Sequence, residues 1–362
     1  MTSDMFMALI ANSPKCKTGF PWTVSSSDTP PQYADKILPK ISIITPSFNQ
    51  GGFIEETICS VLLQNYPNLE FIIIDGGSID ETVEILKKYD KWLYYWVSEP
   101  DKGQSDAINK GLERATGTFF NWLNSDDLLA PNALWAIAET ILSAPMSTAL
   151  VGHLGYFDAQ KQLKQTFRMP IFPNEIEKTL FFGGMAQPAL FWHTETVRAL
   201  KNVDKRLHYC MDLELWCRYL TTFGTQNITQ INAVLAHFRI HEAAKSSQGL
   251  KPFVERMAFS QALLSNLRVP KFWIQKLAIS ETNLPFEKKY DFSNPLFSRQ
   301  KLIAYLIEYV LRVPDYNYPL SKSLLLWVFS LYNLPLGRRL YFFTLPLRLI
   351  YRKWKKISQL GK

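Results

Sequence analysis

The stretch "ISIITPSFNQGGFIEETICSVLLQNYPNLEFIIIDGGSIDET", residues 41–82, decides the fold. "ISIIT" is a short β-branched run closed by Pro46, the signature of a buried strand. Residues 53–64 then carry Phe53, Ile54, Ile58, Val61 and Leu62 at helical spacing. "LEFIIID", residues 69–75, is a second buried strand, and residues 82–89 read as a second helix.

Outward from this unit the alternation continues. "WLYYWVS" (residues 92–98) reads as a third strand, residues 105–115 as a third helix and "GTFFNWLN" (residues 117–124) as a fourth strand. Pro131 then opens a fourth helix, since proline suits the first helical turn. Strands alternating with helices predict an α/β architecture, a mostly parallel sheet with right-handed crossovers. Polar loops follow each strand: "PSFNQGG", "GGSID", "EPDKGQSD" and "NSDD". Open parallel sheets bind ligands outside the carboxyl ends of their strands, so the chemistry is expected in these loops.

Around this core the organisation is uneven. Residues 1–37, with Pro14, Pro21, Pro30, Pro31 and a Ser-Ser-Ser run, read as an irregular arm. The pattern turns mixed from Val151 to about His241, and residues 251–362 read as mainly helical. The chain has 362 residues, 47% of them apolar, which suits one large domain with an appendage or two domains and excludes a disordered chain. Cys16, Cys59, Cys210 and Cys217 form no C-x-x-C pair and no zinc pattern, so they read as reduced thiols of a cytosolic protein. The apolar start lacks a basic leading region, and the catalytic part is expected to remain in the cytoplasm. Of the net charge of +8, all resides in the tail: nine Lys or Arg and no acid lie beyond residue 315, while the body is close to neutral. A neutral body argues against nucleic acid as a partner and for a tail that meets something anionic.

Three loops carry chemistry. In "LNSDDLL", residues 123–129, the adjacent carboxylates Asp126 and Asp127 follow a buried strand; their repulsion is relieved by a hard divalent cation, which would also bridge phosphates. Capping of the next helix is the alternative, and one Asp can cap while the other binds metal. In "IDGGSIDET" a strand ends in Asp75, whose carboxylate could accept hydrogen bonds from a nucleobase N–H or ribose hydroxyls, and Ser78 or Asp80 can cap the following helix. In "SEPDKGQSDAINKGL" Lys102 could approach a phosphate while Asp101 or Asp106 holds neighbouring loops. No G-x-G-x-x-G follows the first strand, which excludes a dinucleotide-binding dehydrogenase.

Taken together, residues 44–82, "SEPDKGQSDAINKGLERATG", "NWLNSDD", "QPALFWHTETV" and "LHYCMDLELWCRYL" resemble family 2 glycosyltransferases in order and spacing, over roughly residues 41–245. The resemblance implies a GT-A fold, a Rossmann-like mostly parallel sheet flanked by helices, with residues 38–145 as the nucleotide-sugar-binding half and 146–250 as the acceptor-binding half. It implies a donor site built from Thr45, Pro46, Ser47 and Asn49; from Asp75, Gly77 and Ser78; from Asp101, Lys102, Gly103, Asp106 and Asn109; and from Asn124, Ser125, Asp126 and Arg239. It implies Mn²⁺ or Mg²⁺ on Asp126 and Asp127, with His241 as a further ligand, and Asp212 as general base with Glu214 as runner-up. Two departures stand out: Asn124 where the family often has Asp, and Gly76 where it often has a second acid. The Q-x-x-R-W motif of processive synthases is absent, so one sugar per encounter is expected.

The expected reaction is inverting transfer from a nucleotide-diphosphate sugar, UDP favoured, to a saccharide or polyprenyl-linked acceptor in cell-surface polysaccharide assembly. "RRLYFFTLPLRLIYRKWKK" mixes cations with aromatics and suits a segment lying on an anionic leaflet, on the inner face of the cell membrane. The uncharged run before it, residues 323–337, is too short to span a bilayer. The rival readings are a nucleotide-sugar-binding module without turnover and a membrane scaffold. Oligomeric state stays open, a dimer included.

Overall fold

A computed structural model of the chain describes residues 21–22, 35–158, 162–247, 251–277, 292, 294–295 and 297–312. Most of the N-terminal arm and the whole basic aromatic tail lie outside the described residues. The chain divides into two compact units. The first comprises Met1–Ile171, Met185–Leu215 and Asn227–Gln248, and the second Phe172–Gly184, Trp216–Gln226 and Gly249–Lys362.

The first unit holds the sheet. Its opening half is β1 (Ile41–Ser47), α1 (Ile54–Leu62), β2 (Leu69–Asp75), α2 (Thr82–Tyr89), β3 (Tyr95–Ser98), α3 (Gln104–Arg114) and β4 (Phe119–Trp122). β1 pairs in parallel with β2 and β4, and β2 with β3, so Ser47, Asp75 and Ser98 stand side by side at the carboxyl ends. β1 and β4 are buried along their whole length, which is why they read as near-continuous apolar runs. The other half is mixed: β5 (Leu128–Leu129), α4 (Ala133–Ser143), β6 (Ala149–Phe157), β7 (Leu163–Arg168), β8 (Leu190–His193), α6 (Thr194–Ala199) and β9 (Ile228–Arg239). The strand order is β3-β2-β1-β4-β8-β6-β9-β5, with β7 on β6; β8 is antiparallel to both neighbours, and β6 and β9 are parallel. The expected α/β, GT-A-like sheet flanked by helices is the observed one.

At the strands' amino ends a buried carboxylate ties the parallel half together. Glu70 accepts from the Ser42 hydroxyl at 2.7 Å, from the Thr116 N–H at 2.7 Å and from the Gly117 N–H at 3.2 Å. The Thr116 hydroxyl and Lys40 Nζ (3.2 Å) complete the set.

Local departures from the sequence reading have plain causes. The third strand begins at Tyr95, because Asp90–Trp92 continues α2 as a 3₁₀ turn that Trp96 closes by donating its indole N–H to Asp90 Oδ1 at 2.6 Å. Pro131 stands before, not in, the first turn of α4: Asn132, at φ 62°, intervenes. Neither Asp126 nor Asp127 caps that helix, since β5 follows them.

The second unit holds α5 (Ile176–Phe182), the later part of α7 (Met211–Phe223), α8 (Lys251–Asn266), α9 (Lys271–Leu277) and α10 (Arg299–Arg312). Within it Phe182 meets Tyr305 edge to face at 5.2 Å, and Glu177 accepts the Ser298 N–H at the start of α10. Among the described residues no helix is long and apolar enough to cross a membrane.

Candidate active site

The loops after β1 and β2 are laced into one surface. Asp75 closes β2 fully buried, and its carboxylate accepts four hydrogen bonds: Ser78 Oγ on Oδ1 at 2.5 Å, and Ser78 N–H (2.8 Å), Gly77 N–H (3.2 Å) and Ser98 Oγ (2.6 Å) on Oδ2. Gly77 sits at φ +84°, the left-handed region a glycine occupies at little cost. Asn49, also left-handed at φ 51°, donates its N–H to Ser78 Oγ (2.7 Å) and accepts the Ile79 N–H on Oδ1 (3.0 Å). Asp80 accepts the Thr82 N–H (3.0 Å) at the start of α2 and the Gly51 N–H (2.9 Å) from the first loop. On β1, flanking Pro46, Thr45 Oγ1 and Ser47 Oγ are buried and meet no hydrogen-bond partner among the described residues.

In the third loop, Asp101 Oδ1 accepts the Gly103 N–H at 2.7 Å. Asp106 accepts the Lys102 N–H (3.2 Å) and pairs with Lys205 Nζ (2.7 Å). Asn109 exchanges two hydrogen bonds with the backbone of Val203, at 2.8 and 3.1 Å. Ser105 donates to the carbonyl of Leu207 at 2.6 Å. Asp106 and Asn109 thus fasten the segment leading to α7 onto α3, while the exposed side chain of Lys102 faces solvent.

The "NSDD" turn is the most tightly built part. Asp127 is 1% exposed; its Oδ1 accepts the Arg239 N–H at 3.1 Å and its Oδ2 accepts the Asn124 amide at 3.1 Å. Burial, reinforced by the neighbouring charge of Asp126, pushes the Asp127 carboxyl well above the usual carboxylate range, against the pull of the Arg239 N–H and the Asn124 amide. Thr57 Oγ1 lies 2.9 and 2.8 Å from the carbonyls of Ser125 and Asp127. Arg239, at the end of β9, donates Nε to the Asp126 carbonyl (2.9 Å) and a terminal nitrogen to Glu56 Oε2 (2.7 Å). Its guanidinium lies over Phe157 at 4.6 Å and Phe53 at 5.2 Å.

Asp126 itself turns its carboxylate outward, where Oδ2 lies 3.0 Å from His241 Nε2 and Phe53 packs on the imidazole at 4.7 Å. Asp126 and His241 therefore bring one carboxylate oxygen and one imidazole nitrogen together at the carboxyl end of the sheet. No group of three or more metal-binding side chains occurs among the described residues. Asp126 and His241 would be the two protein donors to an Mn²⁺ or Mg²⁺ ion.

Asn124 joins this turn to the segment that leads into α7. Its Oδ1 accepts from Gln104 Nε2 (2.7 Å), Gln104 Oε1 accepts from Lys245 Nζ (2.7 Å), and Lys245 also reaches the His208 carbonyl (3.1 Å). Three residues beyond His208 begins α7, whose first turn carries Asp212 and Glu214. Asp212 is half-buried, with Oδ1 accepting the Leu213 N–H at 2.7 Å, and Glu214 is fully buried. The sequence reading did not single out Glu56, Thr57, Gln104 or Lys245. Gln104 lay inside a loop already marked as polar, whereas nothing local distinguishes Glu56 or Thr57 from other residues of an amphipathic helix.

Comparison with known proteins bears on the family and the fold. Residues 42–198 match the family model described as "Glycosyl transferase family 2". An uncharacterized glycosyltransferase of Rickettsia typhi is 26% identical over 242 residues, 63% of this chain and 73% of that protein. TuaG of Bacillus subtilis, a glycosyltransferase whose name assigns it to teichuronic acid biosynthesis, is 36% identical over 118 residues, 32% of this chain and 47% of its own length. The crystal structure of S. aureus TarS 1–349 in complex with UDP-GlcNAc superposes with a TM-score of 0.54 at 16% identity, covering 89% of this chain and 92% of that one; at this identity the likeness is one of fold.

Proposed function

The chain belongs to glycosyltransferase family 2, and from that premise we propose that it transfers a sugar from a nucleotide-diphosphate donor to a hydroxyl acceptor with inversion. The observation that carries this reading is the Asp126–His241 pair on a turn braced from behind by Asp127, Asn124 and Arg239. A UDP-sugar is the favoured donor, in line with the UDP-GlcNAc in the TarS crystal structure.

A bound Mn²⁺ or Mg²⁺ supplies neutralisation of the charge that grows on the departing diphosphate. Asp126 and His241 would hold it, and Asp127 with Arg239 would keep Asp126 aimed. Thr45 and Ser47 offer buried hydroxyls at the end of β1, and Lys102 offers an exposed ammonium in the loop after β3. Asp212 takes the proton of the acceptor hydroxyl as its oxygen attacks the anomeric carbon. One in-line displacement breaks the bond to the diphosphate and inverts that carbon, so no covalent sugar–enzyme species forms.

The acceptor is a saccharide carried on a lipid, at the cytoplasmic face of the membrane. Support comes from the teichuronic acid biosynthesis in the name of TuaG and from the cationic aromatic tail of the sequence. The test is a panel of UDP-, GDP- and dTDP-sugars with Mn²⁺ or Mg²⁺, scored for free nucleoside diphosphate, comparing wild type with Asp126→Ala and Asp212→Asn. Metal-dependent release from one donor, lost in both variants, is the expected result. Tight donor binding without release, even with lipid-linked acceptors present, would instead identify a binding module.

A further inference from the structure

The transferase reading requires a group that meets the donor's base, and Asp75, the carboxylate expected to do so, is wholly buried. It accepts four hydrogen bonds from Gly77, Ser78 and Ser98, three on Oδ2 and one on Oδ1, and none of its surface is exposed to an incoming base. The next residue, Gly76, has no side chain to offer. A Cβ placed on it would fall 2.8 Å from Asp101 Oδ2 and 3.1 Å from the Asp101 carboxyl carbon, closer than real Cβ contacts come. The Asp101 carboxylate therefore stands where a side chain at position 76 would stand.

Resting on that transferase reading, we infer that Asp101, seated over Gly76, selects a nucleobase presenting a ring N–H (uracil, thymine or guanine) over one presenting a bare ring nitrogen (cytosine or adenine). Oδ1 is held by the Gly103 N–H at 2.7 Å, which fixes the plane of the group. Oδ2 accepts no hydrogen bond from any described residue, and the side chain is half-buried beside the carboxyl ends of β2 and β3, the edge at which a nucleoside enters a parallel sheet. Burial raises the Asp101 carboxyl, and the charges of Asp106 and Asp75 add to the rise against the Gly103 N–H and Lys110. An incoming N–H donor therefore meets an acceptor that still lacks one. A carboxylate has no hydrogen to give to a bare ring nitrogen, so the discrimination follows from donor–acceptor matching.

The experiment is calorimetric titration of the full chain, with Mn²⁺, against UDP, 2′-deoxy-UDP and CDP. Asp101→Asn keeps an oxygen for the Gly103 N–H and replaces Oδ2 with an NH₂ group. It is expected to weaken UDP about 10- to 100-fold, the worth of a hydrogen bond to a charged group, and to move the UDP-to-CDP preference towards CDP. Gly76→Ala is expected to weaken UDP with the carboxylate intact, because its methyl group displaces Asp101. An unchanged UDP-to-CDP ratio in Asp101→Asn overturns the inference and leaves the transferase reading standing. The same holds if removal of the ribose 2′-hydroxyl from the ligand abolishes the effect of the substitution, since Asp101 would then act on the sugar. A wild type that binds no nucleoside diphosphate overturns the transferase reading and this inference with it.

Discussion

His241 Nε2 lies 3.0 Å from Asp126 Oδ2 although 115 residues separate them in the chain. The end of β9 makes this possible. Arg239 fixes the turn by its backbone N–H to Asp127 and its side chain to the Asp126 carbonyl, and two residues later the chain delivers the imidazole. The same guanidinium is anchored by Glu56, with only 6% of its side chain exposed.

Removing either donor is expected to weaken the metal directly. Asp126→Asn and His241→Gln should each lower Mn²⁺ affinity by at least about tenfold, since losses of 10- to 100-fold follow even from mutating the groups behind the ligands. Electron paramagnetic resonance titration of free Mn²⁺ in the presence of UDP reads this without turnover. Wild-type affinity in both variants would move the metal elsewhere.

Asn124 owes its identity to the buried carboxylate behind it. Its Nδ2 donates to Asp127 Oδ2 at 3.1 Å while its Oδ1 accepts from Gln104; an amide performs both roles at once, whereas an ionised carboxylate can only accept. Asn124→Asp would set two carboxylates against each other in a buried turn. We expect a loss of about 1–3 kcal/mol of stability, the cost of an unsatisfied buried acceptor, measured as a lower midpoint in urea and partly restored by Mn²⁺ with UDP. Stability equal to wild type would show that the turn tolerates the second acid.

The parallel half of the fold was legible because β1, β2 and β4 are buried almost throughout and its helices have one apolar face; both leave regular marks in sequence. The turn chemistry was legible where it is local, as with Asp80 and Thr82. What the sequence could not reveal is which acids stay accessible to a ligand. Asp75, Asp106 and Asp127 read as ligand groups, yet each is buried and hydrogen-bonded by protein donors, several of them far along the chain, such as Lys205 and Arg239. Asp101 and Asp126 look no different in sequence, and their availability depends on Gly76 and His241, contacts that form only in three dimensions.

Glu70 sets an acid limit on stability. Burial alone would raise its carboxyl, but hydrogen bonds from the Thr116 side chain and N–H, from Ser42 and from Lys40 outweigh it and hold the group below its ordinary value of 4.5. A carboxylate whose folded value is depressed contributes stability that is present above the unfolded value and lost as pH falls through the folded one. The melting temperature should therefore fall as pH drops below about 4.5. Glu70→Gln should flatten that decline while costing about 1–3 kcal/mol at neutral pH. An acid limb identical in the variant would assign it to other carboxylates.

Asp212 and Glu214 compete for the role of general base, and the helix that carries them separates the two. Residues two apart on an α-helix point about 200° apart and do not share a face. Asp212, at the first turn of α7, is half-buried, whereas Glu214, at 0% exposure, is packed inside. Asp212→Asn is therefore expected to lower kcat by about 10²- to 10⁴-fold, the usual worth of a positioned base, with donor affinity and melting temperature unchanged. Glu214→Gln should lower the melting temperature, with kcat per folded molecule close to wild type. Parallel measurement of kcat, UDP-sugar affinity and thermal melting in both variants decides the matter. The opposite pattern, kcat lost in Glu214→Gln at wild-type stability, would transfer the base to Glu214 and require α7 to turn its inner face to the acceptor.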